Sequence, residues 1–85
     1  MPAKNFIIPE KVKKRTFKFP QRIQKHLPSI FILIRQNPII GTKLKGELSD
    51  YYKVRIGDYR LIYKFNAKTS TVEVVKIEHR QGVYR

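Results

Sequence analysis

Residues 51–65 read YYKVRIGDYRLIYKF, and the fold follows from how this stretch is paired. Tyr52, Val54 and Ile56 alternate with Tyr51, Lys53 and Arg55, and Tyr59, Leu61, Tyr63 and Phe65 alternate with Arg60, Ile62 and Lys64. Such alternation is the signature of strands with one apolar and one polar face. Gly57-Asp58 between the runs is a two-residue hairpin signal, because Gly takes the positive φ that such turns need. A two-residue loop also fixes the register: Ile56 faces Tyr59 and Arg55 faces Arg60. With Tyr52, Val54 and Ile56 in the core, Lys53, Arg55 and Arg60 share the opposite face. A like-charged pair directly across two strands costs about 0.2–1 kcal/mol. A face evolved only for solubility does not need that arrangement, although a merely solvated face is the plain alternative.

Upstream, Ile23, Leu27, Ile30, Phe31 and Ile34 fall on one face of an amphipathic helix from Pro20 to about Gln36, stopped by Asn37-Pro38. Pro28 inside that run removes a backbone hydrogen bond and clashes with the preceding turn, so a kink or break is expected there. Asn5 to Ile8 reads as a first strand ended by Pro9, and Glu10 to Phe17 as a short basic helix with Pro9 at its first position. Downstream, Asn66 to Ser70 is a turn and Thr71 to His79 a last strand. Both alternating sets of that strand contain Val or Ile, which predicts a central strand partly covered on both faces. The fold class expected is α+β, with two N-terminal helical segments packed on one face of a small, mainly antiparallel sheet and the cations on the other.

Composition sets the partners. The 85 residues suit one domain, 1–85, with a modest core. Lys and Arg number 19 against 6 acidic residues, a net charge of 19 − 6 = +13, so a polyanion is the natural partner. Cysteine is absent, which excludes disulfides and thiolate metal sites, and two histidines make metal binding unexpected. The opening MPAKNFIIPEK carries no signal-peptide core, and no stretch reaches membrane-spanning length, so a cytosolic protein is expected with neither metal nor cofactor. Lys43 and Lys45 in GTKLKGEL add cations just before the hairpin, and Tyr84 offers a ring near the chain end. Cations beside an aromatic edge suit single-stranded nucleic acid, the cations meeting phosphates and the ring a base.

The stretches LPSIFILIRQNPIIGTKLKG (27–46), YYKVRIGDYRLIYKF (51–65) and HRQGVYR (79–85) together resemble the RelE/ParE superfamily of toxins from type II toxin–antitoxin modules. There a helical hairpin is followed by an Asn-Pro stop, a Lys-Leu-x-Gly loop, a YRVRVGDYRVIY hairpin and a terminal HRxxVYR. The RelE-like branch comprises endoribonucleases that enter the ribosomal A site and cut messenger RNA, and the ParE-like branch poisons DNA gyrase. The resemblance places Lys53 and Arg55 at the two basic positions of the first hairpin strand, Arg60 at the arginine after Gly-x-Tyr, and Arg80 and Tyr84 at the arginine and tyrosine of the terminal motif. What it implies is a metal-independent messenger-RNA interferase working by 2′-hydroxyl attack. Lys53, Arg55, Arg60, Arg80 and Tyr84 are then catalytic and an acidic cognate antitoxin is the protein partner, while Lys43 and Lys45 are expected to bind RNA on the strength of their charge beside the sheet. The proton acceptor is open between Lys53, where neighbouring like charge disfavours the ammonium, and His79, which alternation aims at the opposite face. A gyrase poison and a non-enzymatic RNA binder or degenerate toxin are the alternative readings.

Overall fold

The structure, a computed structural model, describes residues 2–44, 46 and 50–79. Strand β1 (Asn5–Ile7) leads into helix α1 (Glu10–Thr16), then come α2 (Gln21–Gln24) and α3 (Leu27–Gln36), followed by strands β2 (Thr42–Lys43), β3 (Tyr51–Ile56), β4 (Tyr59–Asn66) and β5 (Thr71–His79). The strands form a five-stranded sheet in the order β1-β5-β4-β3-β2, antiparallel except for the parallel β1–β5 pair. The helices cover one face, which is the α+β arrangement expected.

The helical layer is shaped by its prolines. Pro9 stands just before α1, at its cap and not at its first position, and Glu10 in the first turn with Lys13, Lys14 and Arg15 in the last suits the helix dipole. The long amphipathic segment does break, but upstream of Pro28: α2 ends at Gln24, and the His26 amide bonds to the Ile23 carbonyl at 3.0 Å in a tightened turn. Pro28 therefore sits in the first turn of α3, where an amide hydrogen would have no helical partner anyway. The one apolar stripe survives the break, with Ile23, Leu27 and Ile34 buried and Ile30 and Phe31 packed against them.

Against this stripe the sheet turns Tyr52, Ile56, Leu61, Tyr63, Val72, Val74 and Ile77, all buried. Tyr63 is completely buried, and its hydroxyl is the tie between sheet and helix exit. It donates to the Pro38 carbonyl at 2.7 Å and accepts from the Gly41 amide at 3.1 Å. Burial raises the phenol above its usual pKa, opposed by the Gly41 hydrogen bond. Gly41 is required here, since an added Cβ would lie 2.8 Å from the Lys53 carbonyl oxygen. Replacing Tyr63 by Phe should cost about 1–3 kcal/mol, because it strands two backbone groups without partners. A lower urea midpoint at unchanged m-value would show it.

The last strand departs from the expected form. β5 lies between β1 and β4, interior but not central, and it is covered on one face only. Its pairing with β4 slips between Ile62, opposite Lys76, and Tyr63, opposite Val74, so Val75 is an extra residue. Val74 and Ile77 consequently both point inward although three residues apart, while Val75 is 40 % exposed. The bulge, not two-sided burial, is why both alternating sets contain aliphatic residues.

Candidate nucleic-acid face and its site

The hairpin forms as its Gly-Asp loop dictates. Gly57 has φ +59°, and Arg55 pairs with Arg60 and Ile56 with Tyr59. Three rows cross the uncovered face: Arg55–Arg60–Glu78, Lys53–Ile62–Lys76 and Tyr51–Lys64–Glu73. Five cations stand there against two carboxylates, a local balance of 5 − 2 = +3. Ile62, 7 % exposed, belongs to this side and lies apart from the helix-facing core. Lysine stems on either side of it can shelter its side chain while their ammonium groups reach water. A groove of about 360 Å³ follows the middle row, lined by Leu44, Tyr51, Lys53, Arg60, Ile62, Val75 and Lys76. Its floor is apolar and its walls are cationic. The Lys64 ammonium lies 5.8 Å from the centre of the Tyr51 ring at one end.

Of the residues singled out from the sequence, Lys53, Arg55 and Arg60 are brought together on this face. Lys43 is not: its partner is Tyr52, so it stands on the side of the helices, and it is Thr42 that faces Lys53. Lys45, Arg80 and Tyr84 lie outside the described residues. His79 is on the helical side, as alternation indicated, where its Nε2 lies 3.0 Å from Asp58 Oδ2 and its ring meets Tyr59 edge-on at 5.1 Å. Asp58 also accepts two hydrogen bonds from Arg22 of α2, at 2.8 and 3.0 Å. Chiefly through Arg22, and further through His79, its carboxyl is held well below the usual carboxylate range, with partial desolvation opposing. This cluster staples the hairpin tip to α2 and to the end of β5. It puts the His79 ring on the far side of the sheet from Arg60.

Among the residues of the face not singled out from the sequence are Lys76 and Glu78. Lys76 Nζ lies 3.1 Å from Glu78 Oε1, and Glu78 pairs directly across the ladder with Arg60. Their two-residue spacing, running on to Arg80, was the available signal. The bulge hid it, because strict alternation from Val72 and Val74 places both side chains in the core. Arg60 itself is half-buried, and its Nε is enclosed without a hydrogen-bond partner among the described residues. No helix among these residues is long and apolar enough to cross a membrane, and they contain no cluster of three or more potential metal ligands.

A mixed sheet with one helix-covered face and one cationic face, entered through a Gly-Asp hairpin, is the framework of a toxin domain. The chain belongs to the ParE toxin family of type II toxin–antitoxin systems, whose family model matches residues 9–84. It is 34% identical over 53 residues to toxin RelG of Mycobacterium tuberculosis; the match covers 62% of this chain and 61% of that protein's length. Among solved structures it superposes on the archaeal RelE of the RelE–RelB complex from Pyrococcus horikoshii with a TM-score of 0.78. That match has 25% identity and covers 94% of this chain and 97% of the other. The isolated RelE toxin of Escherichia coli gives a TM-score of 0.78 at 25% identity, covering 96% of this chain and 92% of that one. The protein is thus a type II toxin with a RelE-like fold.

Proposed function

We propose that this toxin is an endoribonuclease that cuts messenger RNA in the ribosomal A site, using the ribose 2′-hydroxyl as nucleophile and no metal. The observation that carries the reading is Arg60. This guanidinium is partly desolvated, faces another arginine across the ladder, and keeps an enclosed N–H without a hydrogen-bond partner among the described residues, beside a groove lined by Lys53 and Lys76. Such cations are destabilising in the free protein and are matched by a phosphate, which a guanidinium meets with two parallel hydrogen bonds. The similarity to toxin RelG and to the RelE structures supports the same class of target.

Three tasks make up the reaction: removing the 2′-proton, stabilising the pentacoordinate phosphorane and releasing the 5′-oxygen. Preorganised charge contributes most to the second. Arg60 takes that task, with Arg80 assigned to it by the resemblance. Lys53 and Arg55 hold flanking phosphates, and Tyr84, again by resemblance, stacks on a base beside the cut. Lys43 stands on the wrong side of β2 for the same strand of RNA. An antitoxin of RelB type is the protein partner proposed, as in the Pyrococcus horikoshii complex, with acidic residues closing over the cationic face.

The family model is that of ParE toxins, and the resemblance to the ParE-like branch supports one other reading, a gyrase poison. The deciding experiment incubates the purified toxin with programmed ribosomes and, separately, with gyrase and supercoiled DNA. Messenger RNA cut in the A site to a 2′,3′-cyclic phosphate and a 5′-hydroxyl, with no gyrase-dependent DNA breakage, is the expected result. The reverse pattern would replace the nuclease reading with the gyrase one, and activity in neither assay would leave a binder.

A further inference from the structure

We infer that Glu78 is the general base of the cleavage reaction, the group that takes the proton from the 2′-hydroxyl; the inference rests on the nuclease reading above. Among the described residues, the buried side-chain polar atoms left without a hydrogen bond are Arg60 Nε and Glu78 Oε1. They belong to direct cross-strand partners on the cationic face. Buried polar groups are nearly always bonded, so two orphans side by side mark a place built for something else. Lys76 Nζ at 3.1 Å from Oε1 forms an ion pair but is off hydrogen-bonding geometry, which leaves the carboxylate in place without satisfying it. The Glu78 side chain is 27% exposed while Oε1 itself is enclosed, so a ligand meets the rest of the side chain first.

Geometry and chemistry then agree. Side chains directly opposite on neighbouring strands start from Cβ atoms about 4.5–5.5 Å apart. That spacing lets one hold a phosphate while the other reaches an oxygen poised about 3–3.5 Å from the phosphorus. With Arg60 on the phosphate, the adjacent 2′-hydroxyl falls to Glu78. The carboxylate takes the proton as the 2′-oxygen–phosphorus bond forms. The phosphorus–5′-oxygen bond then breaks, its electron pair leaves on the 5′-oxygen, and that oxygen takes a proton from solvent water. Glu78 afterwards returns its own proton to solvent. His79 is bound to Asp58 on the other face, and Lys53 stands in the neighbouring row, opposite Ile62. The charged groups facing Glu78 are Lys76 on its own strand, Arg60 from β4, and Arg55 and Lys53 from β3; Glu73 lies further along, opposite Lys64.

The test compares wild-type toxin with Glu78→Gln, Glu78→Asp and Lys76→Met on programmed ribosomes across a pH series, with RNA affinity and thermal melting measured for each. Glu78→Gln should lower the cleavage rate by on the order of 10²–10⁴ and lose the acidic limb of the pH–rate profile. Its RNA affinity should be equal to or above that of wild type, since a negative charge is removed, and its melting should stay cooperative. Glu78→Asp should recover part of the rate and the limb, and Lys76→Met should keep the limb whatever its effect on turnover. An active wild type whose Glu78→Gln variant cuts within a few-fold and keeps the limb overturns the assignment while leaving the nuclease reading intact. Loss of the limb in Lys76→Met equal to that in Glu78→Gln also overturns it, because the ion pair and not the base would then be what matters. A wild type that cuts on no programmed ribosome removes the nuclease reading and this inference with it.

Discussion

One 2′-deoxynucleotide at the cut position of an otherwise all-ribose message is expected to abolish cleavage while leaving binding nearly intact. The proposed nucleophile belongs to the substrate, so removing a single oxygen deletes the reaction and nothing else. Affinity for the strand comes mostly from phosphates meeting Lys53, Arg55 and Arg60, and these are unchanged in number and position. The assay needs ribosomes, because the resemblance to the RelE branch implies that they position the message. Two measurements suffice: the amount of cut product at the substituted position, and the binding curve on the same ribosomes. Cutting that persists at the deoxy position, giving 3′-hydroxyl and 5′-phosphate ends, would show water to be the nucleophile. The roles assigned to Arg60 and Glu78 would then have to be given up together.

The second large effect is expected for Arg60→Ala, which should slow cleavage by on the order of 10²–10³, the usual loss for one preorganised donor at a developing charge. RNA binding should weaken far less, with the salt slope falling by about one unit. Arg55→Ala should show the opposite emphasis, with more effect on binding and less on turnover, because Arg55 is exposed and Arg60 is half-buried and charge acts more strongly where water is scarce. Arg60→Lys should not restore the rate, since an ammonium cannot present the planar fork. Stability provides the control. Removing Arg60 relieves repulsion from Arg55 of about 0.2–1 kcal/mol and gives up the facing Glu78, an effect of similar size and opposite sign, so Arg60→Ala should melt close to wild type. A slow variant that also melts lower would speak for a structural role instead.

What could be read from the chain followed from which contacts are local. The Arg55–Arg60 pairing was legible because a two-residue loop leaves one register, and the facing of Lys53 followed from Tyr52 and Ile56 entering the core. The break near Pro28 was legible as well, although the helix resolves it by restarting at Leu27 so that the proline falls in a first turn. The tie from Tyr63 to Pro38 and Gly41 was not legible, since it joins residues more than twenty apart. Nor was the extra residue at Val75: its signature, aliphatics in both alternating sets, is equally that of a strand covered on two sides. That one misreading also concealed Glu78. The contributions of Arg80 and Tyr84 still rest on the resemblance and that of Lys45 on its charge, because these positions lie outside the described residues.

The slip at Val75 also has a genetic meaning. Val75 is the residue of β5 that has no partner in β4, so the loss of its codon would join Val74 directly to Lys76 and leave the four residues that follow in the phase they already have. Lys76 and Glu78 would stay on the cationic face, and Ile77 and His79 on the side of the helices. Net charge, the helices and the hairpin would be untouched, and the three rows across the uncovered face would keep their members. For a gene whose product is poisonous whenever its antitoxin fails, survivors of unopposed expression should therefore pass over this codon, and single-codon losses that disarm the protein should fall in β3 and β4, where every residue is paired and a missing one turns the rest of the strand to the other face.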